Sequence, residues 1–344
     1  MPSDYSQIRM DNIKEYGEGT RHLAYFGRLY ADRTHFVFEL LQNAEDAGAT
    51  QVRFRLCDDR LEVRHDGRRF DERDVRGVCG VGEGTKAQDL TQIGKFGIGF
   101  KSVYAYTQAP EVHSGDESFR IEHYVRPNAE TAKPLGDPWT TLFVLSFDAE
   151  GIDPEVACQE IGDRLRGLTA RTLLFLRNIH LIEYVLPDLA EGTYLREETS
   201  RGTSRQVTLI GHGSDQVEDE EWLVFDRRVR VPRNRRRVLV EVGYRIETID
   251  EDKTERVARI NDSPLVVYFP TEKDTRLGFL IQGPYRTTLS RDNIPMDDTW
   301  NKTLVAETAQ LVSDTLQSLK EIGLLTVSLL QALPIRTKDF PETS

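Results

Sequence analysis

Three polar residues in the segment ELLQNAEDAGA (39–49) have the types and spacing to handle a phosphate ester and a hard cation. Glu39, Asn43 and Asp46 stand at i, i+4 and i+7, which places them on one face of a helix. Leu40, Leu41, Ala44 and Ala47 supply the apolar complement. An amide oxygen is a hard, neutral ligand suited to magnesium, which keeps several waters and takes phosphate oxygens for the rest. A carboxylate one turn away can accept a proton from a water aimed at a terminal phosphate, a step typically worth about 10²- to 10⁴-fold in rate. The same spacing also fits an ordinary amphipathic helix with a solvated polar face, so this segment decides nothing by itself.

A second set of residues could shape a phosphate lid. QIGKFGIGFKS (92–102) places Gly94, Gly97 and Gly99 ahead of a helical stretch. Glycine lets the backbone approach a ligand closely, and bare N–H groups at a helix start bind anionic phosphate. Upstream, Gly80, Gly82 and Gly84 flank a polar loop in which Thr85 and Lys86 are placed to move over a nucleotide. One glycine-rich loop is an ordinary surface feature; two clusters bracketing a polar segment are harder to explain that way. There is no GxxxxGK[ST], so the P-loop route to a nucleotide is absent. No GxGxxG follows a strand at the head of a βαβ unit, which argues against a dinucleotide fold.

The elements that must position these residues follow from periodicity and punctuation. Residues 5–49 read as helical, with the apolar-rich part at 34–47 stopping at Gly48. Two strands follow, one alternating Val52, Phe54 and Leu56, the other carrying Leu61 and Val63. A helix is expected from near Gly99, and strands at 118–125 and 140–147. Asp153-Pro154 opens a helix that carries Ala157, Ile161, Leu165 and Leu168, and 172–185 reads as a strand-like piece. Beyond residue 186 the pattern becomes strands with charged loops, at 205–210, 222–231, 237–248 and 264–282. A closing helix at 299–321 has Val305, Ala309, Val312, Leu316 and Leu319 on one stripe.

Composition sets the outer limits. The 344 residues allow two domains of ordinary size, and 38% apolar with 30% charged residues describes a globular chain. No apolar stretch is long enough to cross a bilayer and the N-terminus has no apolar signal core, so a cytoplasmic protein without membrane contact is expected. Cys57, Cys79 and Cys158 show no paired metal spacing and read as small apolar side chains in a reducing compartment. A net charge of −12 argues against generic DNA coating.

Taken together, the segments resemble the GHKL ATPases, the superfamily of gyrase, the ninety-kilodalton heat-shock chaperone, histidine kinases and MutL. ELLQNAEDA is similar to the N-box, HDGRRF (65–70) to the adenine box and GKFGIGF (94–100) to the lid box, while TTLFVLSF (140–147) resembles the later strand whose threonine helps hold adenine. The wording is nearest the heat-shock chaperone and the sacsin-type repeats related to it. The resemblance implies a Bergerat fold at 1–185, a two-layer α/β sandwich with a mixed sheet. ATP lies between helices and a mobile lid in that fold. A second α/β, transducer-like domain at 186–344 follows.

Carried over residue by residue, Glu39 matches the catalytic base, Asn43 the Mg²⁺ ligand, and Asp46 and Ala47 positions lining the nucleotide pocket. Gly67, Thr85, Lys86, Gly94, Lys95, Phe96, Gly97, Ile98, Gly99, Phe100 and Thr141 complete the ATP site. One departure stands out. The usual adenine box is D-x-G-x-G; aligned on Gly67, His65 occupies the aspartate's place, Asp66 comes one residue later, and Arg69 replaces the second glycine. Asp66 is expected to read adenine, because a carboxylate accepts the amino group's hydrogen bond more strongly, with a neutral His65 as the alternative. TTLSRDN (287–293) looks like the chaperone segment that sends an arginine to the terminal phosphate, which implies that role for Arg291, with Arg286 the nearby alternative.

Histidine kinases lack the glutamate base and no phosphoacceptor-helix pattern occurs here, so ATP hydrolysis to ADP is expected over phosphotransfer. Its output would be conformational, chaperone-like or part of a bacterial defence system. Two rivals stand beside it. One is a nucleotide-gated interaction module with negligible hydrolysis; the other is a DNA-associated ATPase of the MutL or gyrase type, using a lysine from its second domain. The arginines between Arg227 and Arg237 could meet nucleic acid, but a solvated hairpin balancing Glu218, Asp219, Glu220 and Glu221 is the plainer reading, since no aromatics interleave them. The other histidines show no ligand spacing. The chain stops at LPIRTKDFPETS without a closing element, as the front part of a longer protein would, and a protein client or an effector, C-terminal domains among them, is the expected partner.

Overall fold

The structure, a computed structural model, describes residues 1–28, 32–81, 99–213, 217–232, 236–249, 254–288 and 293–334. Among these, two compact units separate: Met1–Thr169 with Leu176–Tyr194 and His212–Gln216, and Ala170–Phe175 with Leu195–Gly211 and Val217–Ser344. The boundary expected at residue 185 lies short of Tyr194, and Ala170–Phe175 belongs to the second unit. Both units are mixed α/β, built on mostly antiparallel sheet.

The first unit carries strands β1 (Gln51–Leu56), β2 (Arg60–His65), β3 (Glu111–Ser114), β4 (Glu117–Glu122), β5 (Arg126–Ala129), β6 (Thr141–Ser146) and β7 (Leu181–Val185), ordered β7-β1-β2-β6-β3-β4-β5. Among the described residues of this unit only β1 and β7 run parallel. Its helices are α1 (Tyr5–Tyr16), α2 (Phe36–Asp46), α3 (Glu72–Cys79) and α4 (Pro154–Arg166). The helix expected over 5–49 is broken. Gly17, at φ +83°, ends α1, and the Asp32 carboxylate accepts from Thr34 N–H just before α2 begins. α2 buries Phe36, Val37, Leu40, Leu41 and Ala44 and stops at Gly48, whose φ of +70° suits glycine.

The helix expected near Gly99 is a short 3₁₀ turn, Phe100–Ala105. Within 172–185 only β7 is strand, because the backbone N–H groups of Arg177, Asn178 and Ile179 point to the buried Glu45 carboxylate at 2.7, 3.0 and 2.9 Å. α3 has no counterpart in the expectations; Asp71 and Asp74 close a capping box at its start. Cys79 is buried and Cys57 and Cys158 are half-buried.

β8 (Glu191–Arg201) begins in the first unit and belongs to the second from Leu195 on, and β9 (Ser204–His212) lies in the second up to Gly211. The second unit also holds β10 (Val217–Arg230), β11 (Arg237–Ile249), β12 (Thr254–Ala258), β13 (Pro264–Val267), β14 (Phe269–Asp274) and β15 (Leu280–Gln282), with α5 (Thr299–Glu321) and α6 (Val327–Ala332). The order is β14-β13-β15-β11-β10-β9-β8, with β12 paired to β11. The single run expected at 264–282 is cut into three, the first break falling at Tyr268, whose φ is +64°. α5 is where the sequence places it, but four of the five expected stripe positions move by one residue, to Leu304, Thr308, Leu311 and Thr315, while Leu319 is buried as expected. The two threonines go inside because Tyr285 and Tyr244 meet their hydroxyls, each at 2.9 Å. No helix among the described residues is long and apolar enough to cross a membrane.

Candidate functional site

Along α2 the row Glu39, Asn43, Asp46 runs from interior to solvent: Glu39 is buried, Asn43 half-buried and Asp46 exposed. The Asn43 side chain makes no hydrogen bond among the described residues, so its amide oxygen is available as a ligand. The Glu39 carboxylate is held between two groups. His35 Nε2 lies 3.5 Å from Oε1. Gly99 faces Oε2 so closely that a Cβ on it would fall 2.0 Å from that oxygen.

A second glycine meets the other end of the same helix. A Cβ on Gly67 would fall 2.9 Å from Ala47 O and 3.0 Å from Ala49 N, and Arg68 N donates to Ala47 O at 2.8 Å. Glu39 and Ala47 are eight positions apart, about 12 Å of helical rise. Segments from two separate glycine-bearing stretches therefore reach α2 at the two ends of its polar row.

The turn after β2 separates the roles of His65 and Asp66. The Asp66 carboxylate accepts from Thr50 N at 2.7 Å, Gln51 N at 3.0 Å and the Thr50 hydroxyl, which ties this turn to the start of β1 and holds its pKa below the usual carboxylate range against a desolvation that pushes the other way. Both of its oxygens are engaged within the protein, an arrangement that does not favour the expectation that it reads adenine. His65 is 2% exposed, and burial pushes its pKa down to about 4, so the ring is neutral near pH 7. Its Nδ1 accepts from Gly67 N at 3.1 Å.

Thr141 is fully buried and lies directly opposite His65 across β2 and β6. Its hydroxyl is 2.6 Å from that of Ser114, its partner on β3, and Ser114 Oγ also accepts from Phe70 N at 3.0 Å. Phe143 sits among the rings of His65, Phe70 and Phe100, at centroid distances of 6.0, 6.1 and 5.8 Å.

Ser114, His35 and Glu45 were not singled out from sequence. His35 carried a usable signal, its i, i+4 spacing to Glu39. Ser114 is found only through strand register. Thr85, Lys86, Gly94, Lys95, Phe96, Gly97, Ile98 and Arg291 lie outside the described residues. Arg286 is described: it ion-pairs with Asp298 at 2.8 Å, and its N–H donates to Asn301 Oδ1. Arg227 of the basic run is held by Glu307 and Asp314 of α5, while Arg228, Arg230, Arg236 and Arg237 are exposed. A cleft of about 430 Å³ in the second unit is lined by Asp219, Glu220, Glu221, Arg245, Glu247 and Arg256 among others. Several of its charges pair with one another, Arg245 with Glu220 and Glu247, and Arg256 with Glu247.

Residues 63–129 match the Sacsin domain family. Protein NO VEIN of Arabidopsis thaliana is 29% identical over 322 residues, covering 84% of this chain and 11% of that protein. Sacsin of Homo sapiens is 35% identical over 105 residues, covering 26% of this chain and 2% of its own length. The chain thus spans a small part of both relatives. Among solved structures, the N-terminal domain of a DNA repair protein aligns with a TM-score of 0.48 at 13% identity, over 87% of this chain and 98% of that one. From within β2 to the end of β5, across the turn that holds His65 and Gly67, this chain is sacsin-like.

Proposed function

We propose that the chain binds ATP with magnesium and hydrolyses it in a Bergerat-type pocket on α2, with Glu39 as general base and Asn43 as the protein's magnesium ligand. The observation that carries this reading is the meeting of Gly99 with the Glu39 carboxylate, one helical turn from the unengaged Asn43 amide. Among the described residues no cluster of three acidic, histidine or cysteine side chains could hold a metal alone. A single amide suits magnesium, which fills its other positions with water and phosphate oxygens and neutralises phosphate charge.

Within that reading, Glu39 accepts the proton of the attacking water at the carboxylate that His35 and Gly99 hold in place. Asp46 and Ala47 line the nucleotide pocket farther along the helix, and His65, Gly67 and Thr141 form its base end. Thr85, Lys86 and the Gly94–Phe100 segment act as the lid, and Arg291 stabilises charge on the transferred phosphoryl group. The second α/β unit acts as a transducer, so that turnover drives a conformational change in a protein client or effector, chaperone-like or in defence. A nucleic-acid partner is not favoured, since Arg227 is already held by two acidic side chains of α5.

Single-turnover hydrolysis of labelled ATP tests this, with Glu39→Ala as the comparison. The variant is expected to bind Mg·ATP and to hydrolyse it about 10²- to 10⁴-fold more slowly. Equal rates in two proteins that both bind ATP would leave a nucleotide-gated interaction module. No heat of association at millimolar Mg·ATP would remove the nucleotide altogether.

A further inference from the structure

His65, Thr141 and Ser114 form a polar row across three neighbouring strands. The registers pair His65 with Thr141 and Thr141 with Ser114, so the three side chains share one face of the sheet. Their exposures are 2%, 0% and 1%. Buried polar groups are normally satisfied, and two of the three are visibly tied down, Ser114 to Phe70 N and Thr141 to Ser114. The third is only half satisfied. Gly67 N donates to His65 Nδ1, so the neutral ring must carry its proton on Nε2, and that N–H has no partner among the described residues. Burial keeps the ring in this neutral form.

Resting on the nucleotide reading above, we infer that His65 meets the base as a hydrogen-bond donor and that the pocket therefore accepts adenine and guanine nucleotides alike. The argument is one of donor and acceptor pattern. Adenine presents its N1 acceptor beside the 6-amino donor, whereas guanine presents its O6 acceptor beside the N1–H donor. Each edge thus offers one acceptor next to one donor. The row offers a fixed donor, Nε2–H, beside a hydroxyl pair in which either oxygen can be the donor and the other lone pairs remain open. It complements both edges. A carboxylate at position 65 would offer acceptors only; held opposite the 6-position of the base, it would welcome the 6-amino group of adenine and repel O6 of guanine.

Equilibrium binding of Mg·ATP and Mg·GTP to the full chain and to His65→Asp tests this. The unaltered chain is expected to bind the two within about tenfold of each other, and His65→Asp to shift their ratio by about tenfold or more toward ATP. Should the variant fail to fold, the unaltered chain still decides the matter with purine riboside triphosphate, which lacks the 6-amino group. It is expected to bind within about tenfold of ATP, because His65 reads N1. A larger preference for ATP over either analogue, or an unchanged ratio in a folded His65→Asp, overturns the inference while leaving the ATP reading intact. Binding of no nucleotide at all removes the ATP reading itself.

Discussion

Gly99 lies against the carboxylate of Glu39: a methyl group on its Cα would fall 2.0 Å from Oε2 and 2.8 Å from Cδ. The backbone there is ordinary, with φ −60° and ψ −46°, so glycine is needed for close approach and not for a special conformation. The contact fixes one carboxylate oxygen, while His35 faces the other at 3.5 Å. A general base must be placed to within a fraction of an ångström of the water it serves.

Gly99→Ala therefore separates placement from stability. Alanine suits the helical φ, and the atom it strikes is the far end of a flexible side chain that can swing away. Unfolding free energy is expected to stay within about 1 kcal/mol of the parent. Hydrolysis is expected to fall by about 10²-fold, because the base is displaced by more than an ångström. Denaturation and single-turnover rates measured on one preparation check both halves.

Glu45, two residues past Asn43, has the opposite character. Its carboxylate collects three consecutive backbone N–H groups ahead of β7. Glu45→Ala orphans them; the buried Ile179 donor costs about 1–3 kcal/mol when left unpaired, while Arg177 and Asn178 are exposed and water can replace the carboxylate there. A loss of about 1–3 kcal/mol is expected by urea denaturation, with Glu45→Gln in between because its amide nitrogen cannot accept. A loss below about 1 kcal/mol would show that water replaces the carboxylate freely.

Lys101 gives a pH signature. It is fully buried, its Nζ donates to Val78 O and Tyr124 O, and burial lowers its pKa to about 8 from 10.5. Between those values the unfolded chain binds the proton that the folded one has released, so this group makes stability rise with pH, by at most about 1.4 kcal/mol per unit. Cys79, raised to about 12 from 9.0, works the other way above pH 9, since there the unfolded thiol ionises first. The difference in stability between the parent and Lys101→Met is expected to grow between pH 8 and pH 9. A difference flat across that interval would mean that the ammonium is not desolvated as its burial implies.

These relationships were unequally visible in the sequence. The Glu39–Asn43–Asp46 row was legible because a helix fixes which residues share a face, and α5 was legible from the apolar repeat over 299–321. Most of its buried face was misplaced by one residue because Thr308 and Thr315 count as polar, and only the fold supplies the tyrosine hydroxyls that make their burial cheap. Ser114 could not be found for a similar reason: its tie to Thr141 depends on β3 lying beside β6, twenty-seven residues away in sequence. The choice between Asp66 and His65 turned on strength of acceptance alone. What the sequence could not show is that Thr50 and Gln51 already occupy the Asp66 carboxylate.

The two arginines near the start of α5 can be told apart. Arg286 is half-exposed and bound to Asp298, the residue whose side chain also caps α5, and Asn301 fixes its backbone from both sides through Oδ1 and Nδ2. Its guanidinium serves the helix start, and an ion pair of that exposure is worth at most about 1 kcal/mol. Arg286→Ala is expected to leave single-turnover hydrolysis within about twofold of the parent, since its backbone contacts to Asn301 survive the change. Arg291→Ala is expected to slow it by about 10²-fold or more, the loss that follows removal of a group stabilising transition-state charge. If Arg286→Ala carries the large loss, the Asp298 pair is a resting arrangement that breaks during turnover. If neither substitution matters and a lysine change in the second unit does, the chemistry follows the MutL and gyrase pattern instead.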